Sequence, residues 1–258
     1  FLLVLNEQHS EYYFHMLQRI LKAIAEPIIL QRRELRITCS IGFSSYPQDG
    51  DNPEILLKHA DAAMYRAKEE GRANFQSFTP EIQARIRERV TLESSLRRAL
   101  SKGELYLEYQ PQVDLYEGRI IGLEALVRWR SPELGVVPPN RFIPLAEEIG
   151  VICEIGEWVM HTACRQNKKW QDEGLPVIPV AVNLSGIHFM QQDIVPLIKD
   201  VLETSGLPPG SLELEVTESA SMKSPQKSIE VMEQVKSMGL RLAIDDFGTG
   251  YSNLTYLK

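Results

Sequence analysis

From Gly103 onward the chain repeats one pattern: an apolar run that ends in, or carries, a side-chain oxygen, followed by a helical stretch. The runs are ELYLEYQPQVDL, GRIIGLEALVRW, PVIPVAVNLS, LELEVTES and RLAIDDFG, and the intervening stretches read as helical through Trp170, to Ser205 and to Met238. Alternating strands and helices imply a parallel sheet, open or closed into a barrel. In a barrel of this kind the site forms at the carboxyl ends of the strands, so polar residues placed where apolar runs stop carry the functional reading. Glu124 follows GRIIGL, Asn183 follows PVIPVAV, Glu215 sits within SLELEVTE, and Asp245 and Asp246 follow RLAI. A set that offers only oxygen donors suits hard cations such as Mg2+ or Mn2+ and argues against Zn2+ held by Cys or His. Two ions fit the adjacent aspartates, because paired carboxylates can bridge metals roughly 3.5 to 4 Å apart.

Taken singly, each of these residues has a plainer reading. A lone Glu such as Glu124 is usually solvated or capping, Asn183 can be a turn residue bonded to its own backbone, and Asp246 can be an N-cap or turn former before Phe247 and Gly248. The aspartate pair says more. Neighbouring residues on a strand point to opposite faces unless the strand has ended, and burying either carboxylate without compensation is costly.

Before Gly103 the pattern differs. FLLVL reads as a strand, His9 to about Ala25 as a helix, and PIIL, QRRE and LRITCSIGF as a hairpin of two strands around a turn. After the turn-rich SYPQDGDNP, a second amphipathic helix runs from Pro53 to Glu70, stopped by Gly71, and leads to a short strand, NFQSF. That makes a small α+β unit. Thr79 then reads as an N-cap and Pro80 as the first residue of a charged connecting helix carrying Ile82, Ile86 and Val90 on one face. The expected division is therefore residues 1–79, a helical connector at 80–101, and 102–258. Phe1 opens a strand pattern without an initiator Met and Lys258 closely follows a strand and turn, so both ends are expected to be cuts in a longer protein.

Hydrophobic residues at 43% and charged residues at 24% supply a buried core and a charged surface. A net charge of −7 argues against a nucleic acid polymer as partner, since affinity for phosphate backbones needs a surplus of Lys and Arg, while a local basic pocket stays open. Cys39, Cys153 and Cys164 are too few and too scattered for a disulfide framework or a CxxC metal site. No signal-peptide layout opens the chain, and no apolar run approaches the roughly 18 to 20 residues that span a bilayer. This stretch is expected to be cytoplasmic, whatever membrane or sensor segments its parent carries.

GLEALVRW at 122–129, VNLSGIHF at 182–189, LELEVTES at 212–219 and AIDDFGTGYSNLTYL at 243–257 resemble, in order and spacing, the successive motifs of EAL domains. YQPQVDL and IGEWVMHTAC add to the likeness, which covers the chain from about Leu92 to its end. The resemblance implies the first two-thirds of a TIM-type α/β barrel that hydrolyses cyclic di-GMP to linear pGpG with two Mg2+ or Mn2+ ions. It implies Glu124, Asn183, Glu215 and Asp245 as metal ligands, and Asp246 as the holder of a second ion that helps activate water. Gln110 and Arg128 are implied as substrate contacts, and Glu218 as the anchor of the loop DFGTGYS. The Arg128 guanidinium suits contact with a substrate phosphate because its fork matches phosphate oxygens; its plainer reading is half of a surface ion pair. A homodimer through this domain is the implied assembly. The family's catalytic lysine, with a later glutamate and glutamine, is expected beyond Lys258, so the stretch is expected to be poorly active or inactive on its own.

TCSIGFSSYPQDGDNPEILLKHADAAMYRAKEEGRANFQSF resembles the carboxyl half of a GGDEF domain, a partial α+β nucleotide-cyclase-like unit. Lys68 and Arg72 look like the pair that contacts GTP phosphates in diguanylate cyclases, and four residues apart on a helix end they would share a face. Their plainer reading is two solvated basic residues. The resulting expectation is a cyclic di-GMP signalling protein: a metal-dependent phosphodiesterase with the GGDEF part as cyclase or GTP-sensing regulator. The alternatives are a catalytically silent receptor for cyclic di-GMP or GTP acting through domain contacts, and an unrelated metal-dependent barrel enzyme with the same oxygen ligands.

Overall fold

The structure, a computed structural model, describes residues 1–5, 10–191, 193–218 and 225–246. The chain divides into two compact units, residues 1–91 and 92–258.

In the first unit α1 (Ser10–Ala25) leads into an antiparallel hairpin of β1 (Ile28–Leu30) and β2 (Arg33–Leu35). Gln31 and Arg32 between them take φ of 50° and 66°, the backbone of a two-residue turn whose twist matches the strands it joins. β3 (Ile41–Phe43) does not extend that hairpin. It pairs in parallel with β4 (Phe75–Ser77), with α2 (Pro53–Glu69) between them in sequence. LRITCSIGF, expected as one strand, thus divides between two sheets, because apolar alternation reports extended backbone and not a change of partner. Residues 1–5, also expected as a strand, are exposed and pair with no described strand. An extended run becomes a ladder only where a neighbour offers donors and acceptors.

The signals at the ends of α2 act as their residue types dictate. The Asn52 side chain accepts the Ile55 N–H at 2.9 Å, and Pro53 occupies the first turn. At the other end Gly71, at φ 97°, turns the chain so that the Arg72 N–H reaches the Ala67 carbonyl at 3.1 Å. Gly42 of β3 packs so closely on α2 that a Cβ there would overlap the Ala60 carbonyl and the Met64 amide. Phe43 and Phe75, on neighbouring strands, meet Tyr13 and Phe14 of α1, with ring centroids 5.5 Å apart for Tyr13–Phe43 and 5.6 Å for Phe14–Phe75. α3 (Pro80–Ala99) starts where Thr79-Pro80 places it. Its expected stripe is buried at Ile82 but 61% exposed at Val90, and its later turns bury Leu92, Leu96 and Ala99 instead.

The second unit is built on a sheet of strand order β10-β9-β8-β6-β5, with β7 pairing β6. β5 (Leu105–Val113) and β6 (Ile120–Ser131) form an antiparallel hairpin closed by Asp114, whose carboxylate accepts the N–H groups of Tyr116 and Glu117. β7 (Gly135–Val137) is antiparallel to β6. β8 (Val180–Leu184), β9 (Leu212–Thr217) and β10 (Arg241–Asp245) then follow in parallel. The sheet is therefore mixed where a parallel one was expected. No helix joins β5 to β6, and a short connection forces antiparallel pairing.

Helices cover one face of this sheet. The stretch expected as one long helix through Trp170 is α4 (Pro139–Glu148) and α5 (Ile152–Asp172); α6 (Gly186–Phe189), α7 (Ile194–Ser205) and α8 (Pro225–Ser237) complete the described set. Val180, Val182 and Leu184, then Leu212, Leu214 and Val216, alternate inward to meet them and are at most 3% exposed. Trp129 anchors the far end of β6, wholly buried with its indole N–H on Glu104 at 2.9 Å and its ring edge-on to Phe142. The opposite face of the sheet is left for polar side chains. All three cysteines are free thiols.

Candidate active site

Strand registers bring the expected residues onto that polar face. Glu124 pairs with Ala181, two residues before Asn183; Asn183 pairs with Glu215; Glu215 pairs with Ala243, two residues before Asp245. Because side chains two apart on a strand share a face, Glu124, Asn183, Glu215 and Asp245 all project to the same side. Gln110 joins them from β5, directly opposite Glu124. The Asn183 amide donates to Glu124 Oε1 at 2.7 Å, across the β6–β8 junction.

Glu124 does not stand at a strand end, as expected from GRIIGL. β6 continues to Ser131, paired with β5 and β7, while its ladder with β8 covers only Leu123–Ala125. The carboxylate therefore lies within the short parallel ladder and not at the end of the strand. For the aspartate pair, β10 ends at Asp245 and Asp246 takes φ 55°, a left-handed turn with its N–H on Asp245 Oδ1 at 2.8 Å. Asp tolerates that conformation, and it releases the two carboxylates from the opposite-face rule of a strand.

Electrostatics mark Glu215 as the crowded member. Desolvation, then the negative charges of Glu124, Asp245 and Glu213, push its pKa up to about 7, and a hydrogen bond from the Gln112 side chain pulls the other way. Gln112 lies on β5 and Glu215 on β9, three strands apart in the sheet. In a flat sheet that is about 14 Å, from strand spacings near 4.8 Å, so the influence of Gln112 on Glu215 goes with a polar face that curves inward. A divalent cation fits this donor set: carboxylates that repel one another, partly withdrawn from water, with an amide oxygen among them. As they stand, no three His, Cys, Asp or Glu side chains among the described residues are grouped tightly enough to hold an ion. Glu124, Asn183, Glu215 and Asp245 share the face without closing into a tight cluster.

The remaining expected residues are placed less decisively. Arg128, on the same face as Glu124, donates from Nε to Glu108 Oε2 at 2.7 Å and from Nη1 to the Val127 carbonyl at 3.1 Å, the ion pair of its plainer reading. Glu218 follows β9 and is 2% exposed; the loop it was expected to anchor lies outside the described residues beyond Asp246. In the first unit Lys68 sits in the last turn of α2, but the helix ends at Glu69 and Arg72 lies in the left-handed turn beyond it. Helical spacing therefore does not put the pair on one face; both are exposed. Sequence reasoning missed Gln112 and Glu213. Alternation from Gln110 and from Glu215 would have placed both on the concave face, and Gly122 inside a strand is the mark of a close approach.

The family model described as "EAL domain" matches residues 93–258. The chain belongs to the EAL domain family. Residues 1–74 match the model "Diguanylate cyclase, GGDEF domain", so the EAL domain is preceded by GGDEF-type sequence. Among curated relatives, the bifunctional diguanylate cyclase/cyclic di-GMP phosphodiesterase MucR of Pseudomonas aeruginosa is 44% identical over 93% of this chain and 35% of its own length. The cyclic di-GMP phosphodiesterase PdeR of Escherichia coli is 39% identical over 94% of this chain and 36% of its own. This chain thus spans about a third of the length of these relatives. Among solved structures, the PaMucR phosphodiesterase in complex with c-di-GMP shares 46% identity and a TM-score of 0.63, covering 65% of this chain and 68% of that one. No described helix of the EAL protein is long and apolar enough to cross a membrane.

Proposed function

We propose that the parent protein hydrolyses cyclic di-GMP to linear pGpG at the concave face of its EAL domain, with Mg2+ or Mn2+ as cofactor. The observation that carries this reading is the common face of Glu124, Asn183, Glu215 and Asp245, one from each of the strands β6, β8, β9 and β10. The kinship with named cyclic di-GMP phosphodiesterases, and with an EAL structure in complex with c-di-GMP, supports the substrate. In the complete domain the curved sheet closes into a barrel of the TIM type, which would protect the open strand edges.

Glu124, Asn183, Glu215 and Asp245 would hold the cofactor, with Asp246 at a second ion. When bound, divalent ions lower the pKa of a water molecule and offset charge on the phosphate oxygens. Asp246 takes the proton of the attacking water, and Arg128 and Gln110 orient the phosphodiester. A guanidinium has five donors, so Arg128 can keep Glu108 and still offer others to a phosphate. Attack at phosphorus breaks one P–O bond of the cyclic diester, and the departing ribose oxygen takes up a proton. Glu218 supports the loop that follows Asp246. The GGDEF part would act as a cyclase or as a GTP-sensing regulator using Lys68 and Arg72, and the protein would assemble as a homodimer through the EAL domain.

The experiment is incubation of the full-length protein with cyclic di-GMP and Mn2+ or Mg2+, with chromatography of the products. Metal-dependent appearance of pGpG is expected. Metal binding without product would reject hydrolysis and leave a receptor.

A further inference from the structure

We propose that Glu108 is a positioning residue of this site, its carboxylate holding the Arg128 guanidinium so that the free end of Arg128 meets a phosphate of cyclic di-GMP. The inference rests on the phosphodiesterase reading above and adds a residue that touches neither metal nor substrate. Glu108 lies two residues before Gln110 on β5 and so faces the same side of the sheet. It pairs in register with Leu126, and Arg128 with Tyr106, which makes Glu108 and Arg128 diagonal neighbours across the hairpin. At that spacing long side chains still meet. Arg128 Nε donates to Glu108 Oε2 at 2.7 Å, and Arg128 Nη1 donates to the Val127 carbonyl at 3.1 Å.

Those two bonds fix the plane of the guanidinium. It has five N–H groups, and with one spent at Nε and one at Nη1, both on Nη2 and one on Nη1 are unspent among the described residues. The remaining end is a fork that matches two oxygens of one phosphate. Tyr106, directly opposite Arg128, carries a different arginine, with the Arg130 guanidinium 5.3 Å from its ring centroid, so on β5 the anchor of Arg128 is Glu108. With side chains 25% and 55% exposed, the Arg128–Glu108 pair adds little to stability. What it supplies is order in a long side chain that would otherwise have to be immobilised when substrate binds. The sign of the effect separates this role from simple electrostatics. If charge alone counted, removing a carboxylate from beside a phosphate contact would tighten binding; if position counts, it loosens binding.

The test is steady-state hydrolysis of cyclic di-GMP by the full-length protein at saturating Mn2+, as wild type, Glu108→Ala, Glu108→Gln, Arg128→Ala and the Glu108→Ala/Arg128→Ala pair. Thermal melts accompany each to establish folding. Glu108→Ala should raise KM about 3- to 10-fold, the cost of ordering a freed side chain, and change kcat less. Glu108→Gln keeps an acceptor for the Nε–H and should recover most of that loss. Arg128→Ala should raise KM further, and adding Glu108→Ala to it should do no more harm, because Glu108 acts only through Arg128. An unchanged or lowered KM in a folded Glu108→Ala protein, or additive losses in the pair, overturns the inference while leaving the phosphodiesterase intact. A wild type that makes no pGpG overturns the phosphodiesterase reading, and this inference with it.

Discussion

At the scale of single residues, the concave face is governed by unbalanced negative charge. Glu124 is held by Asn183 at 2.7 Å and faces the same space as Glu215 and Asp245. Removing a direct ligand should cost more than removing its support, so Glu124→Ala in the full-length protein is expected to lower cyclic di-GMP hydrolysis by more than about 100-fold. The measurement is pGpG release at saturating Mn2+; a rate near that of wild type would contradict the ligand role. Glu215 gives a signature that needs no substrate. Its pKa of about 7 stands above the ordinary 4.5, so between those values the folded protein keeps a proton that the unfolded chain has released. Stability of the metal-free protein should therefore fall as pH rises from about 4.5 through about 7, and Glu215→Gln should flatten that slope. Urea unfolding in chelator at pH 5 and pH 8 reads it directly.

At the scale of elements, β9 separates two tasks along one strand. Leu212, Leu214 and Val216 face the helices, while Glu213, Glu215 and Thr217 face the concavity. Leu214→Ala should destabilise the EAL unit by about 2 to 5 kcal/mol through an unfilled core site, whereas Glu213→Ala should leave stability nearly unchanged and lower the Glu215 pKa by removing a like charge. Denaturant midpoints and a carboxyl titration followed by infrared spectroscopy distinguish the two. Alternation made LELEVTES legible as a strand, while PVIPVAVNLS and RLAIDDFG were legible as apolar runs that stop at a side-chain oxygen, and those stops are why a common face for Glu124, Asn183, Glu215 and Asp245 could be anticipated. Pairing was not legible. Nothing local in LRITCSIGF marks where one sheet gives way to another, and nothing in GRIIGLEALVRW marks that its parallel ladder stops at Ala125 while the strand continues. The curvature of the polar face is likewise a property of the assembled sheet, set by strand twist and packing and carried by no one segment.

At the scale of the molecule, all the proposed metal ligands lie within residues 92–258, and the aromatic cluster of Tyr13, Phe14, Phe43 and Phe75 lies within residues 1–91. Each unit has buried apolar residues of its own, Leu17, Ala63 and Ala67 in one and the helix-facing strand residues Val180, Val182, Leu212 and Leu214 in the other. A ligand stabilises only the structure that binds it, by an amount that grows with its concentration over Kd. Mn2+ should therefore raise the melting midpoint of the EAL unit alone, and the chain should not unfold as one cooperative block. Phe43→Ala should lower a transition that Mn2+ does not move, and Leu214→Ala the one that it does. Differential scanning calorimetry of the full-length protein and both variants, with and without Mn2+, checks this. A single transition shifted equally by both substitutions and by the ion would mean that the two units fold as one, and that occupancy of the concave face is felt at the GGDEF core through packing.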